Sequence, residues 1–116
     1  MSVSFQGVGQ VCATFLGSGL SEGQVVKMSG QGTVSACADG DRFCGAAVYC
    51  RDDACSVQVG GFMTVKYSGT APGVGWAELH ADGSGGVRSP GEKETGGVRC
   101  LVVDVNTTEK TVTLML

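Results

Sequence analysis

The sequence predicts a small all-β domain: an antiparallel barrel or sandwich of about eight short strands, with little or no helix. Three observations carry that expectation. Ser56–Tyr67 alternates along its whole length, with Val57, Val59, Gly61, Met63, Val65 and Tyr67 on one face and Ser56, Gln58, Gly60, Phe62, Thr64 and Lys66 on the other. A period of two is the mark of a strand with one buried and one wet face. Twenty glycines stand singly or in pairs between apolar runs, as tight turns between short strands require. The only helix-compatible stretch, Leu20–Gln24, contains a glycine that limits it to a turn.

Taken in order, the chain opens with an irregular apolar stretch broken by Gly7 and Gly9, followed by alternation over Val11–Leu16. Val25–Met28 and Thr33–Cys37 read as strands separated by the turn Ser29–Gly32. Asp39-Gly40 supplies a tight turn within Ala38–Asp41, and the Asp39/Asp41 pair lacks the distal glutamate of a calcium loop. Gly45–Cys50 is expected to pair with Ser56–Tyr67 through a four-residue hairpin loop, Arg51–Ala54. After the connection Ser68–Gly75 come the brief strand Trp76–His80, the turn Ala81–Gly86 and the extended pair Val87-Arg88. Ser89–Gly97 reads as a mobile, exposed loop. A closing hairpin joins Val98–Val105 to Thr111–Leu116 across the turn Asn106–Lys110.

The expected core is Val57, Val59, Val65, Leu101, Val103, Val112 and Leu114, with Val103→Ala costing on the order of 1–3 kcal/mol. No internal repeat and no second domain is apparent over residues 1–116.

Charge and cysteine usage narrow the function. The net charge is −3 with scattered basic residues, whereas a phosphate-backbone partner needs a concentrated positive face, so no nucleic-acid binding is expected. No apolar run approaches the ~20 residues of a membrane helix, so no membrane partner is expected. The first residues lack the pattern of a signal peptide, which points to the cytosolic side of the membrane. Six cysteines with no C-x-x-C pair and a single histidine, His80, disfavour zinc. No metal or other cofactor is expected, and most of the cysteines read as buried free thiols. Cys50 and Cys55 face each other if the hairpin closes symmetrically, so a bridge between them stays open. His80 reads as a surface or strand-edge residue without a nucleophile to serve, and no catalytic residue is assigned.

One pattern goes further. Gly23-Gln24-Val25-Val26-Lys27-Met28 is followed by an Asp-Gly turn, then by FCGAAV at Phe43–Val48 and ACSVQVGGFMTV at Ala54–Val65. VGWAEL at Val74–Leu79, ADGSGGV at Ala81–Val87, GGVRCLVVDV at Gly96–Val105 and VTLML at Val112–Leu116 complete it. Over Gly23–Leu116 the chain resembles the small glycine-rich capsid decoration (cement) proteins of tailed bacteriophages and prophages. That resemblance implies a non-enzymatic structural protein, often a trimer, whose β-barrel body sits on the virion head. Its partner would be the major capsid protein, met in the bacterial cytoplasm during assembly through an edge strand or an ordering arm. The candidate arm is Ser2–Gln10. The alternative is a small-ligand or carbohydrate-binding β-sandwich module with Trp76, Tyr49 and Tyr67 as stacking residues; a hydrolase is a third reading.

Overall fold

The structure, a computed structural model, describes residues 10–116. The arm expected over Ser2–Gln10 lies, except for Gln10, outside the described residues. Ten strands and no helix make up the described chain: β1 (Val11–Leu16), β2 (Val25–Gly30), β3 (Thr33–Ala36), β4 (Gly45–Arg51), β5 (Ala54–Gly60), β6 (Phe62–Ser68), β7 (Gly75–Ala81), β8 (Val87–Arg88), β9 (Val98–Asn106) and β10 (Thr111–Met115). The all-β expectation holds, but the strands form two closed five-stranded barrels. The first is β1-β3-β2-β4-β5 and the second β10-β6-β8-β7-β9.

The two barrels have the same topology. In each, the first strand runs parallel to the third and antiparallel to the fifth. The second strand pairs antiparallel with the third and the fourth, and the fourth with the fifth. The likeness extends to a β-bulge in the fourth strand. Val48 is the extra residue between Ala47 and Tyr49 in β4, and Val103 is the extra residue between Val102 and Asp104 in β9. A repeat absent from the residue pattern is therefore present in the topology.

The long alternating stretch is where one barrel passes into the other. Ser56–Tyr67 is two strands, not one: β5 closes the first barrel, Gly61 turns the chain at φ +86°, and β6 opens the second. A residue with a Cβ pays a steric penalty there, which glycine escapes. The phase of the alternation survives the turn, so Val57, Met63, Val65 and Tyr67 are all buried. Gln58, itself buried, holds the corner. Its Nε2 donates to the carbonyls of Gly60 (3.0 Å) and Phe62 (2.7 Å), and its Oε1 accepts from Gln10 Nε2 (3.0 Å).

Two clusters form the interior. Val26, Val34, Ala47, Cys55 and Val57 fill the first barrel. The larger cluster fills the second with Met63, Tyr67, Leu79, Cys100, Val102, Leu114 and others, and it also takes in Val25, Cys37, Phe43 and Ala46 from the first. The barrels thus share a core.

Other sequence expectations need correction. The β4–β5 loop has two residues, Asp52 and Asp53, because Arg51 pairs with Ala54; Asp52 adopts φ +55°, which aspartate tolerates better than most side chains. Leu101 and Val103 are only partly buried, and the core positions of β9 are their neighbours Cys100 and Val102. An apolar run on both faces hides its phase, and Val103 is the bulged residue. Val59 is also only partly buried, packed against the edge of the first cluster.

Leu114→Ala should therefore cost about 2–5 kcal/mol in chemical denaturation, through lost burial and the cavity left behind. Val103→Ala should cost less, about 1 kcal/mol, since the side chain is only partly buried and belongs to neither core cluster.

Candidate interaction surfaces

Two exposed surfaces and one polar clasp stand out. The first surface is β1. Its antiparallel ladder to β5 runs from Val11↔Gly60 to Leu16↔Ala54, but among the described residues its other edge meets a strand only at Leu16↔Thr33 of β3. Leu16 donates its N–H to Gly32 O on that side, and Gly17 donates to Asp53 O on the β5 side, both at 2.9 Å. Amides alternate along a strand, so the N–H and C=O of Cys12 and Thr14 point to the unpaired edge. Val11–Thr14 are exposed on both faces, and VCATFL carries neither a charge nor a proline. Soluble proteins usually blunt such an edge with charge, proline or a covering segment.

The second surface is an apolar row across the outside of the second barrel. Trp76 pairs with Leu101, Leu101 with Met115, and Met115 with Phe62, so register sets four large side chains side by side on four strands. Trp76 is 62% exposed, and the Arg99 guanidinium lies 5.3 Å from its ring centroid. Of the four only Trp76 is exposed; Leu101, Met115 and Phe62 are partly buried beside it.

The clasp fastens the first barrel to the second. The turn after β3 docks on the end of β7: Gly40 donates its N–H to Ala81 O and Ala81 donates to Asp41 O. Beside it, Arg88 forks onto Glu94, with Nη1 to Oε1 at 2.6 Å and Nη2 to Oε2 at 2.8 Å, while its Nε reaches Asp39 Oδ1 at 2.6 Å. Those bonds hold the Glu94 carboxyl down to about 2, with the Gly91 N–H adding to the effect, and push the guanidinium further up. The loop Ser89–Gly97, expected to be mobile, is thus tied at its middle.

His80, expected at the surface, is 2% exposed. Its Nδ1 lies 3.3 Å from Gly40 O and 3.8 Å from Glu94 Oε2, and its Nε2 has no hydrogen-bond partner. The burial comes from the clasp closing over a strand end, which the residue pattern of β7 does not record.

The cysteines divide. Cys50 and Cys55 are directly opposite in the hairpin, Cα to Cα 4.1 Å, and form a disulfide. Cys12, Cys37, Cys44 and Cys100 are free thiols. Burial pushes Cys37 and Cys100 up to about 11, which leaves both as unreactive packing groups. Among the described residues no cluster of His, Cys, Asp or Glu is grouped to hold a metal ion. No described helix is long and apolar enough to cross a membrane.

The three aromatic residues of the ligand-binding alternative are not brought together. Tyr67 is in the core, Tyr49 is exposed on β4 of the first barrel, and Trp76 is exposed on β7 of the second. An open groove of about 480 Å³ runs between the barrels, lined by Ser21, Glu22, Gln24, Thr64, Lys66 and Thr111, with no aromatic wall. No protein-family model matches the chain, and no curated protein is found similar to it.

Two measurements check this geometry. The Glu94 carboxyl titrates near 4.5 when unfolded and near 2 when folded, so its stabilising effect is complete above 4.5 and is lost as pH falls toward 2. Glu94→Gln should lower the melting temperature near neutral pH, and its deficit against the wild type should shrink across that acid window. Thiol titration of the unfolded, unreduced protein should find four free thiols, and six after reduction.

Proposed function

We propose that this chain is a non-enzymatic structural protein that attaches to the outside of a protein shell and reinforces it. The edge of β1, unpaired among the described residues over Cys12–Thr14, is the observation that carries this reading. It offers the main-chain donors and acceptors of Cys12 and Thr14 to an extended segment of a partner, with small side chains that allow close approach. The shell is named by the resemblance of Gly23–Leu116 to phage decoration proteins: the partner is the major capsid protein of a tailed phage or prophage head. The protein would meet it in the bacterial cytoplasm and remain on the virion surface. A homo-oligomer, a trimer by that resemblance, would hold through several modest contacts made at once.

Thr14→Pro tests the reading at one atom. It removes an N–H from the free edge and leaves the β5 ladder intact, because the Ala13 and Phe15 amides serve that ladder. Purified wild-type protein should co-sediment with heads of its cognate phage that lack it. The variant should melt like the wild type and bind roughly tenfold more weakly, as expected for one lost main-chain hydrogen bond whose partner carbonyl is left unmet. Wild-type protein that stays in the supernatant, or a variant that binds equally well, overturns the proposal.

A further inference from the structure

One residue links the two barrels. β5 ends at Gly60 and β6 begins at Phe62, so Gly61 alone carries the chain from one to the other. No ladder crosses between them, since each strand pairs only with strands of its own barrel. They are held face to face by the shared core, in which Val25, Phe43 and Ala46 of the first join Tyr67 and Leu79 of the second. A short set of bonds adds to it. Val25 donates its N–H to Gly85 O and Gly40 donates to Ala81 O, both at 2.9 Å, while Arg88 Nε reaches Asp39 Oδ1 at 2.6 Å. All of these contacts depend on how the barrels face each other, and none on their belonging to one chain.

The hinge is compatible with a straight chain as well as a bent one. Residues on either side of Gly61 alternate in one phase, with Val57 and Val59 before it and Met63 and Val65 after it on the same face. Extended backbone at Gly61 therefore makes Ser56–Tyr67 one continuous strand, each half keeping the ladder it already has. Glycine enters that region as readily as the φ of +86° it holds at the corner. Straightening gives up two bonds across the corner, from Gln58 Nε2 to Phe62 O at 2.7 Å and from the Leu116 N–H to Gly61 O at 3.2 Å.

We propose that two copies of the chain exchange barrels, the first barrel of each packing on the second barrel of the other. The surfaces in contact are those of the closed monomer, so the shared core already demonstrates their fit. Within one chain the bent corner brings these faces together; between two chains a pair of straight hinges does. Exchange of an identical element is a low-cost route to a dimer, and glycine-rich strands are prone to it. The bonds lost at the corner and the freedom lost on association favour the monomer in dilute solution, and concentration favours the pair. Each first barrel moves with its Cys12–Thr14 edge, so the dimer offers two such edges. The exchange follows from the fold alone and needs no capsid.

The full chain, unfolded in denaturant, is refolded at low and at high protein concentration and compared by light scattering at one common dilution. Low concentration should give monomer, and high concentration a second species of twice its mass. That species should persist after dilution and revert on warming, because exchange requires the shared core to come apart. A non-reducing denaturing gel should resolve it into single chains, which excludes a disulfide between copies. Gly61→Val disfavours the bend and favours extended backbone. It should raise the dimerisation constant on the order of a hundredfold, about tenfold from each of two hinges. Gly61→Asn, which tolerates positive φ, should stay close to the wild type.

Energy transfer identifies the contact. The chain has a single tryptophan, Trp76 in the second barrel, and a single exposed free thiol, Cys12 in the first. Wild type is refolded with an excess of Trp76→Phe protein that carries an acceptor on Cys12. In the resulting dimer Trp76 should transfer to the partner's acceptor as efficiently as it does to the same label on its own Cys12 in the monomer. Wild type that refolds only to monomer at every concentration overturns the proposal. So do equal dimerisation of the Gly61→Val and Gly61→Asn variants, and a transfer efficiency in the dimer unlike the monomer's. Heads take no part, so failure of capsid binding and failure of exchange are read separately.

Discussion

The corner at Gly61 is the constraint on which the rest of the molecule depends. One run of alternating residues has to serve two barrels, and it can do so only if the chain bends sharply without losing phase. Glycine at φ +86° provides the bend. The buried amide of Gln58 then satisfies the carbonyls of Gly60 and Phe62, which flank the corner. Without that amide, both carbonyls would lose a part-buried donor at the corner. Secondary ties act on the orientation set there: Val25 donates to Gly85, Gly40 to Ala81, and Ala81 to Asp41. The shared core of Val25, Phe43 and Ala46 with Tyr67 and Leu79 can form only because the corner brings the two halves face to face.

Much of the secondary structure was legible in the residues, for a simple reason. Alternation is set by side-chain burial, and most strands here have one buried face. β6 and β10 follow the expected pattern residue by residue. β9 does not, because Leu101, Val102 and Val103 are all apolar and a bulge changes the phase among them. The second barrel was hidden for a related reason. Gly60-Gly61 sits inside a perfect alternation, and a glycine that bends a chain reads the same as one that lies flat in a strand. The repeat leaves no trace in residue identity, since Val25 and Trp76, or Gly17 and Tyr67, share a place in the topology while meeting different surroundings.

Sites were less legible than elements. Exposure of Trp76 depends on which face of β7 points away from the core, and alternation alone does not decide that, since Trp76 and the buried His80 share a face. The burial of His80 depends on a turn more than thirty residues earlier folding over the strand end, a contact that no local pattern encodes. The Cys50–Cys55 pair was the reverse case: a short hairpin constrains its geometry so tightly that spacing alone brought the two into view. The free edge of β1 falls between these extremes. Its lack of charge can be read from VCATFL, but its lack of a partner among the described residues becomes visible only once β3 is seen to touch it at a single residue pair.

The order of the strands has a consequence for synthesis. Every pairing of the first barrel is made among residues 11–60, and every pairing of the second among residues 62–115. Each barrel can close as soon as its own last strand has left the ribosome, and chains generally fold from the N-terminal side as they emerge. The first barrel therefore stands complete for a time with Val25, Phe43 and Ala46 facing solvent, until β6–β10 arrive to cover them. During that interval a nascent chain presents the same kind of apolar face to its neighbours on a polysome that the finished second barrel keeps on β7 and β9.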